Sequence, residues 1–451
     1  MIISAHRGSQ SWIDLPWKKF QRHLFGLQMR VFKAKSLGDE RKARKLQKLI
    51  IRSKSAQFLA IKKVTELNQG NKNSNIDGNG NLRDKDRFNL VDRLMLEHHD
   101  WKHQSLRNVS ISMKDGSVKM LKIPTIADRA WQCLAKEAIE PYHEATFHDR
   151  NYGFRPARNL YDVQRYIFLN LSNKAKGYDK KIIQIDVEKC LEGIPCSLIL
   201  KNISAPKCIK LGLFRCLKAG MKAKFPNESI MEVLTISPLL ANIVLNGIEE
   251  IHPCVRYADD IVYFLEKTDD PEKILEKINK FLANKGFIIN KQKTQITSTK
   301  SGFDFCGWHF KYQKNRKLKV YPSLDSYKKF KTNVKKTINK TYWSIEDRVR
   351  KLAFIVQGWR NYHKYCDMSS LKFSLFGMER RACRVFNTKK RNKLQAIKLM
   401  KKAFPSVSYG ESQFIFLKGN HFSDNGYLDS CSRRNSKSYG NMTLRALRKQ
   451  Y

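Results

Sequence analysis

The sequence predicts an α+β fold, and three observations predict it. Apolar residues recur at helical spacing through the first 65 positions, and again beyond residue 311 as far as about Lys401. Between these helical regions lie short apolar runs that read as strands: KIIQID, ending at Asp186, and VRYADDIVYFL, which carries Asp259 and Asp260. The same central region holds an apolar stretch, ISPLLANIVLNGIEE, and an amphipathic stretch, PEKILEKINKFLANKG, both of which read as helices.

Along the chain, Leu27, Val31 and Ala34 share a helical face, as do Leu46, Leu49 and Ile50. From Met1 to Lys54 there are 14 Lys or Arg against 3 Asp or Glu. These basic faces are either simply solvated or the surface of a helical hairpin that meets RNA. Residues 68–87 are rich in Gly and Asn and nearly free of large apolar side chains, so they read as a loop or linker. Residues 109–123 alternate around Lys114-Asp115-Gly116-Ser117, a hairpin signal. A helix is expected from about Ile126 to Glu140, with Asp128 near its start. Residues 311–340 hold 11 Lys or Arg against a single acid, Asp325. After about Pro405 the chain turns polar and ends in basic residues. No internal repeat is visible.

At roughly 150 residues per domain, 451 residues suggest two to four domains. Apolar residues at 41% argue against wholesale disorder, although 28% are charged. The formal net charge is +46, a self-repulsion that makes a polyanionic partner the natural expectation. No apolar stretch reaches the ~18 residues that span a bilayer, so no membrane partner is expected. The N-terminal MIISAHRGSQSW has too short an apolar run for a signal peptide and lacks an Arg/Ser-rich transit pattern. Ten scattered Cys without a Cys-x-x-Cys pair read as reduced, mostly buried thiols rather than a zinc site or disulfide scaffold. Lys is about twice as common as Arg and Asn is frequent, which fits an AT-rich, organellar-type genome.

The candidate chemistry lies in the acidic residues. Asp186 ends an apolar strand, and Asp259-Asp260 interrupt another apolar run. Acids in such surroundings are costly unless a cation or solvent compensates them. Mg²⁺ favours carboxylate oxygens and retained water. Two such ions about 3.5–4 Å apart would serve phosphoryl transfer by stabilising the entering and leaving oxygens. The plainer reading of an Asp-Asp pair is a polar turn, and spacing alone does not choose between them.

From about Trp17 to about Phe386 the chain resembles group II intron-encoded proteins, the maturase/reverse transcriptases. The resemblance is carried, in family order, by LQKLIIRSKSAQFLAIKKVTELNQG, Ile76-Asp77-Gly78, Ile123-Pro124-Thr125-Ile126-Ala127-Asp128-Arg129 and Tyr152-Gly153-Phe154-Arg155-Pro156. It continues through Ser237-Pro238-Leu239-Leu240-Ala241-Asn242-Ile243, Tyr257-Ala258-Asp259-Asp260, Lys293-Thr294, Gly302-Phe303 with Gly307, and Gly358-Trp359-Arg360-Asn361-Tyr362. It implies a right-hand polymerase of fingers and palm, followed by a helical thumb called domain X. The expected divisions are a basic helical extension and linker over 1–87, fingers and palm over 88–312, thumb/domain X over 313–405, and a basic tail over 406–451. Asp186, Asp259 and Asp260 match the metal-binding positions, with Mg²⁺ as the implied cofactor. Lys293 matches a lysine placed near the departing pyrophosphate. Arg155 matches a basic fingers residue near template or nucleotide; its alternative is a structural ion pair.

The sequence also departs from the family. Met231-Glu232-Val233-Leu234 stand where a Pro-Gln-Gly loop is usual, adding bulk and charge where glycine would let backbone approach a nucleotide. Leu191 replaces an aromatic residue that would discriminate against a 2′-hydroxyl, Glu192 follows where Asp is usual, and Gln292 replaces an acid before Lys293. No Cys/His endonuclease cluster ends the chain. The expectation is therefore an intron maturase that binds intron-containing precursor RNA and assists its splicing, with an eroded reverse-transcriptase core. An active RNA-directed DNA polymerase serving intron mobility, and a general RNA chaperone, are the alternatives. Arg155, Lys328, Lys329, Lys331, Lys335, Lys336 and Arg360 are the expected RNA contacts. Trp343, Trp359, Tyr362 and Tyr365 either stack on bases or belong to the core. The expected compartment is an organelle, a plastid before a mitochondrion, with the bacterial cytoplasm as alternative.

Overall fold

A computed structural model describes residues 11–67, 82–112, 118–188, 196–219, 234–290, 294–387 and 393–404. Three helices open the described chain: α1 (Trp17–Ser36), α2 (Glu40–Arg52) and α3 (Lys54–Lys62). Gly38, at φ +77°, turns the chain after α1, and the Asp39 side chain caps α2 by accepting from the Lys42 N–H at 2.9 Å. After α4 (Asp84–Glu97), the strands β1 (Arg107–Ser112) and β2 (Val118–Ile123) pair antiparallel. The expected turn, Lys114 to Ser117, lies outside the described residues. The helix expected from Ile126 is α5 (Ile126–Glu144), one turn longer than read, and it passes through Pro141. It is buried along most of its length and packs against α1, α2, α3 and α9.

Next come α6 (Leu160–Asn170), β3 (Lys181–Glu188), α7 (Cys196–Asn202), α8 (Lys207–Lys218) and α9 (Ser237–Leu245). The stretch ISPLLANIVLNGIEE is not one helix. It breaks at Gly247, φ +99°, before a short 3₁₀ turn over Ile248–Glu250. Then follow β4 (Cys254–Tyr257), β5 (Asp260–Leu265), α10 (Pro271–Ala283), β6 (Ile288–Ile289) and β7 (Gln295–Ser298). The central sheet is antiparallel in the order β4-β5-β3-β6, with β7 also on β3.

Strand periodicity explains how its two inner strands, β3 and β5, supply apolar side chains to both faces. Ile183, Ile185 and Val187 of β3, with Ile261, Tyr263 and Leu265 of β5, join the large helical core of α1–α5, α8 and α9. Ile182, Val262 and Phe264 face the other way, into a second core with α6 and a small sheet. That sheet, β8 (Phe303–Phe305), β9 (Trp308–Tyr312) and β10 (Leu318–Pro322), is antiparallel and was not anticipated, because its Lys-rich sequence reads as a change in charge rather than as strands.

The last described part is a helical bundle: α11 (Leu324–Ile338), α12 (Ile345–Tyr362), α13 (Lys372–Asn387) and α14 (Lys393–Ala403). It has its own core of Phe330, Val334, Leu352, Val356, Phe386 and their neighbours. Ser323 and Ser344 cap α11 and α12 by accepting backbone N–H donors. No described helix is long and apolar enough to cross a membrane.

Candidate functional site

The acidic residues meet through strand register. Asp186 of β3 lies directly opposite Asp260 of β5, and Tyr257 opposite Asp260 closes the β4–β5 hairpin. Ala258 and Asp259 are thus the two turn residues, with Ala258 at φ +59°. Asp186 and Asp259 are half-buried and Asp260 is exposed. Carboxylates directly opposite on neighbouring strands repel one another. Their register is a placement that a cation would favour.

The turn is held by three segments far apart in sequence. Arg256, fully buried on β4, donates to Glu249 Oε1 at 2.6 Å, to Asn242 Oδ1 at 3.0 Å and to the Ala258 carbonyl at 3.1 Å. Asn242 on α9 donates to the Gly153 carbonyl at 2.7 Å. The 150–153 segment runs along β4: the Arg256 N–H donates to the Arg150 carbonyl and the Tyr152 N–H to the Arg256 carbonyl, both at 2.9 Å. Gly153 is required there, since a Cβ on it would sit 2.2 Å from the Ala258 backbone nitrogen. Sequence reasoning missed Arg256, although a charged residue inside Cys254-Val255-Arg256-Tyr257 was a visible signal.

Arg155 corrects an expectation. Its side chain is buried against Glu144, with Nη2 to Oε1 at 2.6 Å and Nε to Oε2 at 3.0 Å. Nη1 donates to the His148 and Asn151 carbonyls. The guanidinium is a structural tie between its own loop and the end of α5, so it is withdrawn as an RNA or nucleotide contact.

Asp186 and Asp260 open onto a cavity of about 800 Å³ that is also lined by Gln184, Asp304, His309 and Tyr321. His309 Nδ1 and Asp304 Oδ1 are 2.6 Å apart across the β8–β9 pair. Hard oxygen donors suit Mg²⁺, which is commonly held by one or two carboxylates and otherwise by water or phosphate. Two cross-strand carboxylates fit that requirement. Among the described residues no three His, Cys, Asp or Glu converge into a complete protein cage. Lys293, Leu191, Glu192, Gln292 and Met231 to Val233 lie outside the described residues.

On the bundle, α11 sorts its residues cleanly. Phe330, Val334 and Ile338 are buried, and Lys328, Lys329, Lys331, Lys335 and Lys336 are all exposed on the opposite face. Arg360 is half-buried near the end of α12. Two aromatics prove to be packing residues. Trp359 stacks on Phe330 with centroids 4.3 Å apart, and Tyr362 stacks on Trp308 at 5.2 Å while donating to the Cys306 carbonyl. Tyr365 meets Tyr161 edge-on, and Lys340 Nζ sits 3.5 Å over Trp343. The described cysteines are free thiols, and burial pushes Cys133 up to about 11 and Cys254 to about 12, so neither is a poised nucleophile.

A sheet whose central strand and hairpin turn bring acids together, flanked by finger helices and followed by a helical bundle, is a right-hand polymerase fold. Comparison with known proteins agrees. Residues 12–94 match the N-terminal domain of reverse transcriptase, 111–310 match reverse transcriptase (RNA-dependent DNA polymerase), and 327–404 match the group II intron maturase-specific domain. The chain is 38% identical to Maturase-like protein 1 of Euglena gracilis over 86% of this chain and 85% of that one. It is 36% identical to Maturase-like protein 1 of Euglena longa over 87% and 86%. Protein YkfC of Escherichia coli is 27% identical over 48% of this chain and 69% of its own. Among solved structures, the telomerase of Candida albicans aligns over 71% of this chain and 67% of that chain, at 13% identity and a TM-score of 0.32. The chain belongs to the group II intron maturase/reverse transcriptase family, and it is an intron maturase with a reverse-transcriptase-like core.

Proposed function

We propose that the protein binds a structured group II intron RNA and assists its splicing from precursor RNA. The observation that carries this reading is the exposed five-lysine face of α11, which lies within the segment similar to maturase-specific domains. Folded RNA presents dense phosphate and is read largely by shape. A cationic helix face neutralises several phosphates at once and releases their counterions. Binding the folded intron more tightly than its unfolded ensemble shifts it toward the splicing-competent state. Lys328, Lys329, Lys331, Lys335, Lys336 and Arg360 are the proposed RNA contacts. The proposed divisions are extension and linker over 1–87, fingers and palm over 88–312, thumb/domain X over 313–405 and tail over 406–451.

Asp186, Asp259 and Asp260 are the proposed Mg²⁺ residues, with Lys293 beside them if polymerisation is retained. Bound there, Mg²⁺ would supply charge neutralisation for phosphate oxygens. Met231, Glu232, Val233 and Leu191 at nucleotide-facing family positions support weak or lost polymerisation. The second reading, an active polymerase, is favoured by the direct Asp186–Asp260 register. The Euglena relatives and the Lys- and Asn-rich composition support an organelle, a plastid before a mitochondrion.

Replacing Asp259→Ala together with Asp260→Ala separates the readings. In a splicing assay with the cognate intron, the double variant is expected to splice like the parent chain. On an RNA template with dNTPs, the parent chain is expected to extend a primer poorly. Robust extension that the double variant abolishes would establish the polymerase instead.

A further inference from the structure

Phe154 stands apart from its surroundings. Its neighbours Gly153, Arg155 and Pro156 are buried, yet its own side chain is 55% exposed. Its backbone is at φ +55°, a region that a bulky L residue enters only under strain, and Ala157 three residues on is at φ +65°. The loop cannot relax easily. The Arg155–Glu144 fork ties one side, and the Asn242–Gly153 hydrogen bond and the Gly153–Ala258 approach tie the other. The Phe154 ring lies 5.8 Å from the ring of Tyr257, tilted by 44°, and Tyr257 is the register partner of Asp260. A strained backbone that holds a solvent-facing ring beside an acidic turn needs a reason beyond packing.

We propose that Phe154 and Tyr257 form a stacking platform for one unpaired base of the bound RNA, next to the Asp259-Asp260 turn. The platform rests on the RNA-binding reading above and specifies where a single-stranded segment sits. The occupant follows from size and charge. Two rings at the edge of one hairpin turn make too small a patch for an apolar protein surface. A nucleobase has a π face one ring system wide with polar edges, and every base stacks regardless of sequence. The net charge of +46 draws the strand in.

The test uses the full chain and a short single-stranded RNA carrying 5-iodouracil, with photocrosslinks mapped by mass spectrometry and affinity measured in parallel. Crosslinks are expected at Phe154 or Tyr257. Phe154→Gly should leave the melting temperature equal or higher, because glycine adopts this φ without strain. The same variant should lose the crosslink and weaken RNA binding roughly 5- to 150-fold, the range that loss of one aromatic–base stack produces. Phe154→Trp should restore both, and Phe154→Leu, which keeps bulk without a π face, should not. Unchanged binding and crosslinking in the Gly and Leu variants would overturn the platform. So would a lowered melting temperature with RNA binding intact, which marks a packing ring. If the parent chain binds no RNA, the RNA-binding reading itself falls, and the platform with it.

Discussion

Two buried guanidiniums show what a single residue contributes. Arg256 and Glu249 are both fully buried and 2.6 Å apart, so removing one partner leaves the other charged and unpaired. Glu249→Gln is expected to lower unfolding stability by about 3–5 kcal/mol, read by chemical denaturation. A loss below ~1 kcal/mol would mean that the pair does not secure the β4–β5 hairpin. Arg155 shows the limit of sequence reading at this scale. Its motif was legible, but whether its charge faces RNA or Glu144 depends on a partner eleven residues away that no spacing rule selects. Buried imidazoles supply a second expectation. Burial lowers His143 to about 3, helped by the Lys35 charge, and lowers His363 to about 4. Both are neutral in the folded chain, whereas their unfolded counterparts gain a proton near pH 6.5. The unfolded state therefore binds more protons between about pH 6.5 and pH 3–4, and stability falls as the pH drops through that window. His143→Gln, whose carbonyl can still accept from the Ser204 N–H, should flatten the acid side of a melting temperature against pH curve. An unaltered curve would show that His143 is not the titrating group.

At the scale of elements, the hairpin turn and the basic helix carry the account. Gly153→Ala should destabilise the fold by about 1–3 kcal/mol, because the added Cβ meets backbone rather than a side chain that can swing away. A melting temperature equal to that of the parent chain would contradict the close packing of the 150–153 segment on the turn. The strands β3, β4 and β5 were legible because two-sided burial made them apolar and bounded them with acids. The helix α10 was legible from its period and its glycine stop, and the structure adds the Asp270 cap. The sheet β8-β9-β10 was not. Phe303 and Phe305 of β8 and Trp308, Phe310 and Tyr312 of β9 alternate inward, but the runs are short, and the lysines of β9 and β10 mask the strand pattern with a composition that reads as a charged segment. The break at Asn246-Gly247 was passed over for a different reason: the dipeptide is itself a turn signal, but the apolar residues on both sides are buried alike, so hydrophobicity gives no sign of the bend.

The whole molecule joins three cores. The sheet is shared between the helical core of the fingers side and the core beneath β8-β9-β10, and the bundle closes around a third. This arrangement sets the acidic turn in the palm and the lysine face on a separate bundle helix, so one can be altered without the other. The family was legible from motif order. The meeting of the 150–155, 237–246 and 254–260 segments around Arg256 was not, since it is a tertiary fact written in no single motif. The most direct test of the central claim, that a cationic bundle face binds a folded intron, is the salt dependence of affinity for a group II intron RNA. It compares the parent chain with a variant in which Lys328, Lys329, Lys331, Lys335 and Lys336 are all Ala. The account predicts steep weakening with salt for the parent chain. For the variant it predicts lower affinity and a log–log slope shallower by up to about 4.5, near 0.9 for each phosphate left without its lysine. Equal affinities and equal slopes would contradict it.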